Sequence, residues 1–147
     1  MAIEPPPVID VSSGYSSPAL GARIAFDYSN NDGRFTLGQG EMTFITAWSK
    51  ASNTSIHAYK DAPGMQSVSL AIGLKEISGI DDASSFDPSS RVRTAQLGDI
   101  IIWRNARGYY AATKVERIKD RTRGDDKDEL VFSYRIQSNG TTSFRSP

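Results

Sequence analysis

GDIIIWRNARGYYAATKVERIKDRTRGDDKDELVFSYRI, residues 98–136, decides the fold class. Ile100-Ile101-Ile102-Trp103 is a continuous apolar run, the pattern of a strand buried on both faces. Asn105-Ala106-Arg107-Gly108 reads as a turn. Tyr109 to Lys119 reads as a long returning strand, with Tyr109, Ala111, Thr113 and Val115 on one side. After the charged loop 120–129, Leu130, Phe132, Tyr134 and Ile136 line one face of a further strand. Adjacent strand residues point to opposite faces, so Tyr109 and Tyr110 cannot share one core, and one of them is expected at the surface or against the N-terminal arm.

The same period of two extends backward. Ile24, Phe26 and Tyr28 alternate with Arg23, Ala25 and Asp27. The Asn30-Asn31-Asp32-Gly33 run that follows supplies the positive φ angles of a tight hairpin turn. Phe35 and Leu37 mark the return strand, Gly38 and Gly40 a bulge or sharp bend, and Met42, Phe44 and Trp48 continue at even spacing. Residues 55–60 form another strand, and Val68, Leu70 and Ile72 alternate in the next. Residues 78–90 read as a long loop with one helical turn, and 91–94 as a short strand. Asn139-Gly140 signals a second hairpin, leaving Thr141 to Phe144 as a short terminal strand. No stretch of ten residues carries a 3.6-residue period. The expectation is an all-β protein: an antiparallel β-sandwich of about eight or nine strands, with a closed barrel as the alternative. Clean alternation favours the sandwich, with one face of each sheet wet.

With 147 residues there is enough chain for one domain, read here as 23–147, behind an extended Pro/Ser-rich arm over 1–22. The arm either pairs along a sheet edge or moves freely. Lys+Arg and Asp+Glu both number 17, which removes the overall positive charge of a nonspecific nucleic-acid binder, so no nucleic acid is expected. There is no cysteine, and with it go disulfides, zinc-thiolate sites and thiol nucleophiles. Glu4 and Pro5-Pro6-Pro7 stand where a signal peptide would be basic and then apolar, and no apolar run approaches membrane-spanning length. A soluble, cytoplasmic protein is expected, with export after loss of a leader as the alternative.

The candidate chemistry is thin. His57 is the only histidine and shares a strand face with Ser55 and Tyr59; Ser49, Ser52 or Ser55 would be its nucleophile. A triad also needs an orienting acid, and no serine lies in a nucleophile-elbow context, so catalysis ranks last. Residues 27–33 miss the calcium-loop pattern, because Gly33 is the seventh position and Gly38 the twelfth. Asp125, Asp126, Asp128 and Glu129 are interleaved with Arg121, Arg123 and Lys127, the pattern of a solvated hairpin tip. Arg123-Gly124-Asp125 spells an adhesion tripeptide that common residues produce by chance, and Asn53 and Asn139 open sequons that matter only in a glycosylating pathway. No phosphate-binding glycine motif is present, and no cofactor or metal is implied. The aromatic residues Trp48, Tyr59, Trp103, Tyr109 and Tyr110 remain, against the ordinary expectation that tryptophans in such a domain are core.

Residues 26–59, FDYSNNDGRFTLGQGEMTFITAWSKASNTSIHAY, together with 98–118 and ELVFSYRIQSNG at 129–140, resemble segments of uncharacterised bacterial β-domains. Such domains stand alone or accompany effector domains. The resemblance implies a bacterial origin and an all-β fold, and it transfers no functional residue. The leading expectation is therefore a non-catalytic binding or sensory module for a small polar ligand or a partner protein, its site drawn from Trp48, Ser52, His57, Tyr59 and Tyr109. A homo-oligomeric assembly subunit, joined through a sheet edge or the arm, is second. A His57-dependent hydrolase is third.

Overall fold

The structure is a computed structural model that describes residues 8–10, 15–52, 54–138 and 140–144. The apolar run lies in β9 (Ile100–Asn105), which is buried on both faces, as its composition requires. It pairs antiparallel with β10 (Tyr110–Lys119), Trp103 opposite Ala111, and β10 pairs with β11 (Glu129–Ile136), Val115 opposite Phe132. β11 takes β3 (Gly21–Phe26), and β3 takes β1 (Val8–Asp10) in parallel. β7 (Met65–Leu70) closes the far side of β9, giving a six-stranded sheet in the order β1-β3-β11-β10-β9-β7. A second sheet of five runs β2 (Ser16–Ser17), β4 (Arg34–Leu37), β5 (Phe44–Lys50), β6 (Ser55–Tyr59), β8 (Val92–Gln96). The two sheets pack as a sandwich and do not close into a barrel.

Between them lies the main core, centred on aromatic rings. The Phe132 ring stacks on Trp48 at 5.4 Å and meets Phe26 and Phe35 edge-on at 6.1 and 6.0 Å; Trp48 meets Trp103 at 5.2 Å. Each buried indole N–H needs an acceptor. An inward threonine supplies it in both cases: Trp48 Nε1 donates to Thr46 Oγ1 at 2.7 Å, and Trp103 Nε1 to Thr113 Oγ1 at 3.0 Å.

Four expectations change. The Asp32-Gly33 turn has its positive φ angles (57° and 70°), yet it closes no hairpin. It carries the chain from β3 in one sheet to β4 in the other. The turn chemistry is the same for either connection, and what fixes the crossing is the fit of Gly33 against the backbone of Trp48. Ile72 does not extend β7. The strand stops at Leu70, the chain turns back so that the Ile72 N–H donates to Leu70 O, and Ile72 is left 77% exposed.

Residues 141–144 form no strand either. Ala83 N–H donates to Thr142 O at 2.8 Å and Phe144 N–H to Ile80 O at 2.9 Å, so the chain crosses the outside of the six-stranded sheet and buries Phe144 there. Phe144, Ile80, Ala83 and Ala71 cover Ile100, Ile102, Tyr110 and Ala112, a second small core on the face expected to be wet. That second core also settles the Tyr109-Tyr110 pair. Tyr110 is buried in it, while Tyr109 packs on the main core from the opposite face, so neither is left fully exposed. The 78–90 loop contains the short 3₁₀ turn Ala83–Ser85, capped by Asp82. Pro5 to Pro7 and the sequon residues Asn53 and Asn139 lie outside the described residues.

β8 is an edge strand. Lys60 N–H donates to Arg91 O and Leu97 N–H to Thr54 O, so the odd-numbered residues face β6 and Val92, Thr94 and Gln96 turn their peptide groups outward. Ser90 Oγ exchanges hydrogen bonds with the N–H and C=O of Val92. Asp99 does the same for Gln96, accepting from its N–H at 2.9 Å and donating its own N–H to Gln96 O at 3.0 Å. Both ends of the edge are thus occupied by the chain itself, which removes most of the template for pairing with another strand.

Asn105 clamps the two sheets. Its Nδ2 donates to Glu41 O and Thr43 O at 2.9 and 3.0 Å, and its Oδ1 accepts from Arg107 N and Tyr109 N, both at 3.0 Å. Asn105→Ala leaves two donors and two acceptors without partners. An expected loss of about 2 kcal/mol in urea unfolding follows from the cost of orphaned polar groups; a loss within a few tenths would mean that water replaces the amide at no cost.

Candidate functional site: a groove along the fifth strand

β5 is central in its sheet, and its alternation divides its labour. Phe44, Thr46 and Trp48 point into the core, so Ile45, Ala47 and Ser49 form a floor on the outer face. Register sets the walls. Arg34 of β4 stands opposite Ala47 on one side and Tyr59 of β6 on the other. A methyl group between two long side chains leaves a hollow of about 270 Å³, lined by Asp32, Arg34, Ser49, Tyr59, Asp61 and Arg91.

Its walls are opposed charges. The Arg91 guanidinium grips Asp61 through three hydrogen bonds of 2.9 to 3.1 Å and lies 5.4 Å over the Tyr59 ring. The hydrogen bonds and charge of Asp61 raise the pKa of Arg91. Arg34 is held more loosely, 3.8 Å from an Asp32 carboxylate that is 85% exposed. At the floor the Tyr59 and Ser49 hydroxyls are 2.8 Å apart.

Of the five residues proposed from sequence, Tyr59 and Trp48 border this hollow. Trp48 borders it from the core side: it is 2% exposed and its indole packs between Trp103 and Phe132. Its place is the core. His57 lies one row away, Nδ1 against Thr94 Oγ1 at 2.8 Å, its ring edge-on to Tyr59 at 6.1 Å. Ser52 caps the β5–β6 turn, its Oγ 2.6 Å from Ser55 Oγ. Tyr109 lies at the far end of β5 beside Glu41, Arg107 and Gly108. Among the described residues no hydrogen bond joins a serine to His57 and no carboxylate orients it. Sequence reasoning missed Arg34, Asp61 and Arg91. Their shared signal was the small outward residue Ala47, legible only once the strand register is known.

The acidic loop after β10 is internally paired: Arg123 with Asp125 at 2.9 Å, Arg121 with Asp128 at 3.2 Å, Lys127 with Glu129 at 3.0 Å. The arginine and aspartate of the Arg-Gly-Asp tripeptide therefore bind each other. At its base, Asp120 joins the sheets. One oxygen accepts from Thr122 N and Oγ1 at 2.8 and 2.7 Å, and the other meets Lys50 Nζ of β5 at 3.0 Å. The Thr122 hydroxyl first, and Lys50 second, hold its carboxyl down to about 2 from 3.8. A depressed carboxyl contributes stability that is complete above pH 3.8 and is lost as pH falls through about 2. Unfolding midpoints followed from pH 5 to pH 2 should therefore drop steeply at the acid end, and Asp120→Asn should flatten that limb. An equally steep limb in the variant would assign the acid transition to other carboxylates. Close by, burial first and Asp128 second push the Tyr28 hydroxyl up to about 12, and it donates to Lys119 O at 2.7 Å.

Among the described residues no helix is long and apolar enough to cross a membrane. Compared with known protein families and with curated proteins, the chain matches none.

Proposed function

We propose that the protein is a non-catalytic binding module whose ligand, a small polar molecule, lies over Ala47 between Tyr59 and Arg34. The observation that carries the reading is the hollow itself: a small floor residue framed by an aromatic ring and two arginine–aspartate pairs, on the outer face of the central strand. Such a wall offers both donors and acceptors to a polar ligand, and a ring face for its apolar side. The hydrolase reading gains no support, because Ser49 pairs with Tyr59 and Ser52 with Ser55, and the hydroxyl that meets His57 is that of Thr94. The assembly reading through β8 loses its template at the capped edge.

The test is a set of ¹H–¹⁵N titrations with D-glucose, D-glucuronate, L-glutamate and L-arginine at millimolar concentration. Shifts confined to 32–34, 45–49 and 59–61, lost in Ala47→Trp, are the expected result. Tyr59→Ala should weaken the responding ligand about tenfold, the equivalent of a ring contact near 1.4 kcal/mol. Identical spectra throughout, or shifts that survive Ala47→Trp, would place any binding site elsewhere.

A further inference from the structure

The central hollow is one of four in file. At the start of β5 two hollows share Glu41 and Arg107; the outer one carries Tyr109, and the inner one reaches Ile45 and Pro63. Ala47 and Ser49 floor the third. Ser49 also borders the fourth, where Lys50 leans over the end of the sheet towards Asp120 and Thr122. Ile45, Ala47 and Ser49 link the second, third and fourth along the outer face of β5, about 13 Å at 3.3 Å per residue, and the first adjoins the second through Glu41 and Arg107. A single small molecule fills one hollow. A file of this length fits a chain.

We infer that the occupant of this groove is an extended, uncharged oligosaccharide, an inference that rests on the binding reading above. Pairs of opposite charge line the file: Arg107 with Glu41 at 4.0 Å in the first two hollows, Arg34 with Asp32 at 3.8 Å and Arg91 with Asp61 at 2.9 Å in the third, and Lys50 with the buried Asp120 at 3.0 Å in the fourth. At the exposed arginine pairs an anionic polymer meets a carboxylate as often as a cationic one meets a guanidinium, so neither is selected there. An extended peptide would need backbone partners, and β5 has none to give, because both its edges are consumed by the β4 and β6 ladders. A sugar hydroxyl both donates and accepts. Neighbouring hydroxyls match a guanidinium beside a carboxylate, and neither group is saturated by its partner: a carboxylate has about four acceptor sites and a guanidinium five donors. Tyr59 midway and Tyr109 at one end offer ring faces for the apolar side of a pyranose.

The test titrates the full chain with glucose, cellobiose and cellotetraose, and with the matching xylose, mannose and N-acetylglucosamine series, by ¹H–¹⁵N spectra and calorimetry. In one series the affinity should rise roughly tenfold or more from the single sugar to the tetrasaccharide. Amide shifts should spread from Ala47 outward to Glu41 and Lys50. The double variant Glu41→Ala/Arg107→Ala, which removes only an exposed pair, should lower tetrasaccharide affinity severalfold and leave the single sugar unchanged. A sugar that binds over Ala47 with no gain on lengthening would overturn the extended occupant while leaving the binding reading intact. So would binding of tetragalacturonate in preference to every neutral series, or of glutamate or arginine at Ala47 with no response to any sugar. Silence towards every solute would sink both.

Discussion

Phe132→Ala is expected to lower the free energy of unfolding by about 4 kcal/mol, the usual cost of emptying a fully buried phenylalanine site. The ring is 0% exposed and central to the sandwich, stacked on Trp48 and edge-on to Phe26 and Phe35. Those neighbours come from β3, β4 and β5 in two different sheets, so none can collapse into the space without dragging a strand from its ladder. Domains of this size are stable by only ~5–15 kcal/mol, and the loss is a large share of that. Phe132→Leu fills most of the volume and should cost about 1.5 kcal/mol. Urea titrations followed by tryptophan fluorescence report on both variants, since Trp48 and Trp103 both lie in the core. A loss below ~2 kcal/mol for the alanine variant would contradict a close-packed aromatic centre.

Gly33→Ala is the second large effect, about 3 kcal/mol, combining left-handed strain with a steric clash. A Cβ at this position would lie 2.0 Å from the Trp48 carbonyl oxygen, and φ is +70°. That oxygen belongs to the central strand, so relief requires the crossover between sheets to lift away from β5. Gly40 supplies the control. It has φ +61° but nothing within 4 Å of a Cβ, and Gly40→Ala should cost only the conformational strain, about 1 kcal/mol. Equal losses at the two positions would show that the close approach at Gly33 is easily relieved.

The strands were legible because alternation is local. Ile24 and Phe26, Phe44 and Trp48, and Leu130 to Ile136 all fall where the period of two places them. Partner choice was less so. An Asp-Gly turn reads identically whether it joins two strands of one sheet or crosses between two, and only the packing of Gly33 on Trp48 distinguishes them. Phe144 shows the same limit. Its apolar character was plain, but the face it covers is created by the loop carrying Ile80 and Ala83, distant in sequence. At the groove, Tyr59 was readable as an aromatic residue on an exposed strand face. Arg34, Asp61 and Arg91 belong to separate segments and meet only through register, and Trp48 was drawn into the core by its acceptor Thr46.

The division of β5 between two faces has a consequence for how such a protein diversifies. Phe44, Thr46 and Trp48 are committed to the core, and exchanging any of them endangers the fold. Ile45, Ala47 and Ser49 are interleaved with them yet face outward, away from the main core cluster. Substitutions at those three alternate positions can reshape the groove at little cost in stability. One strand thus joins a fixed scaffold to a replaceable surface, and on the binding reading proposed above descendants of this chain could change what they hold without having to fold anew.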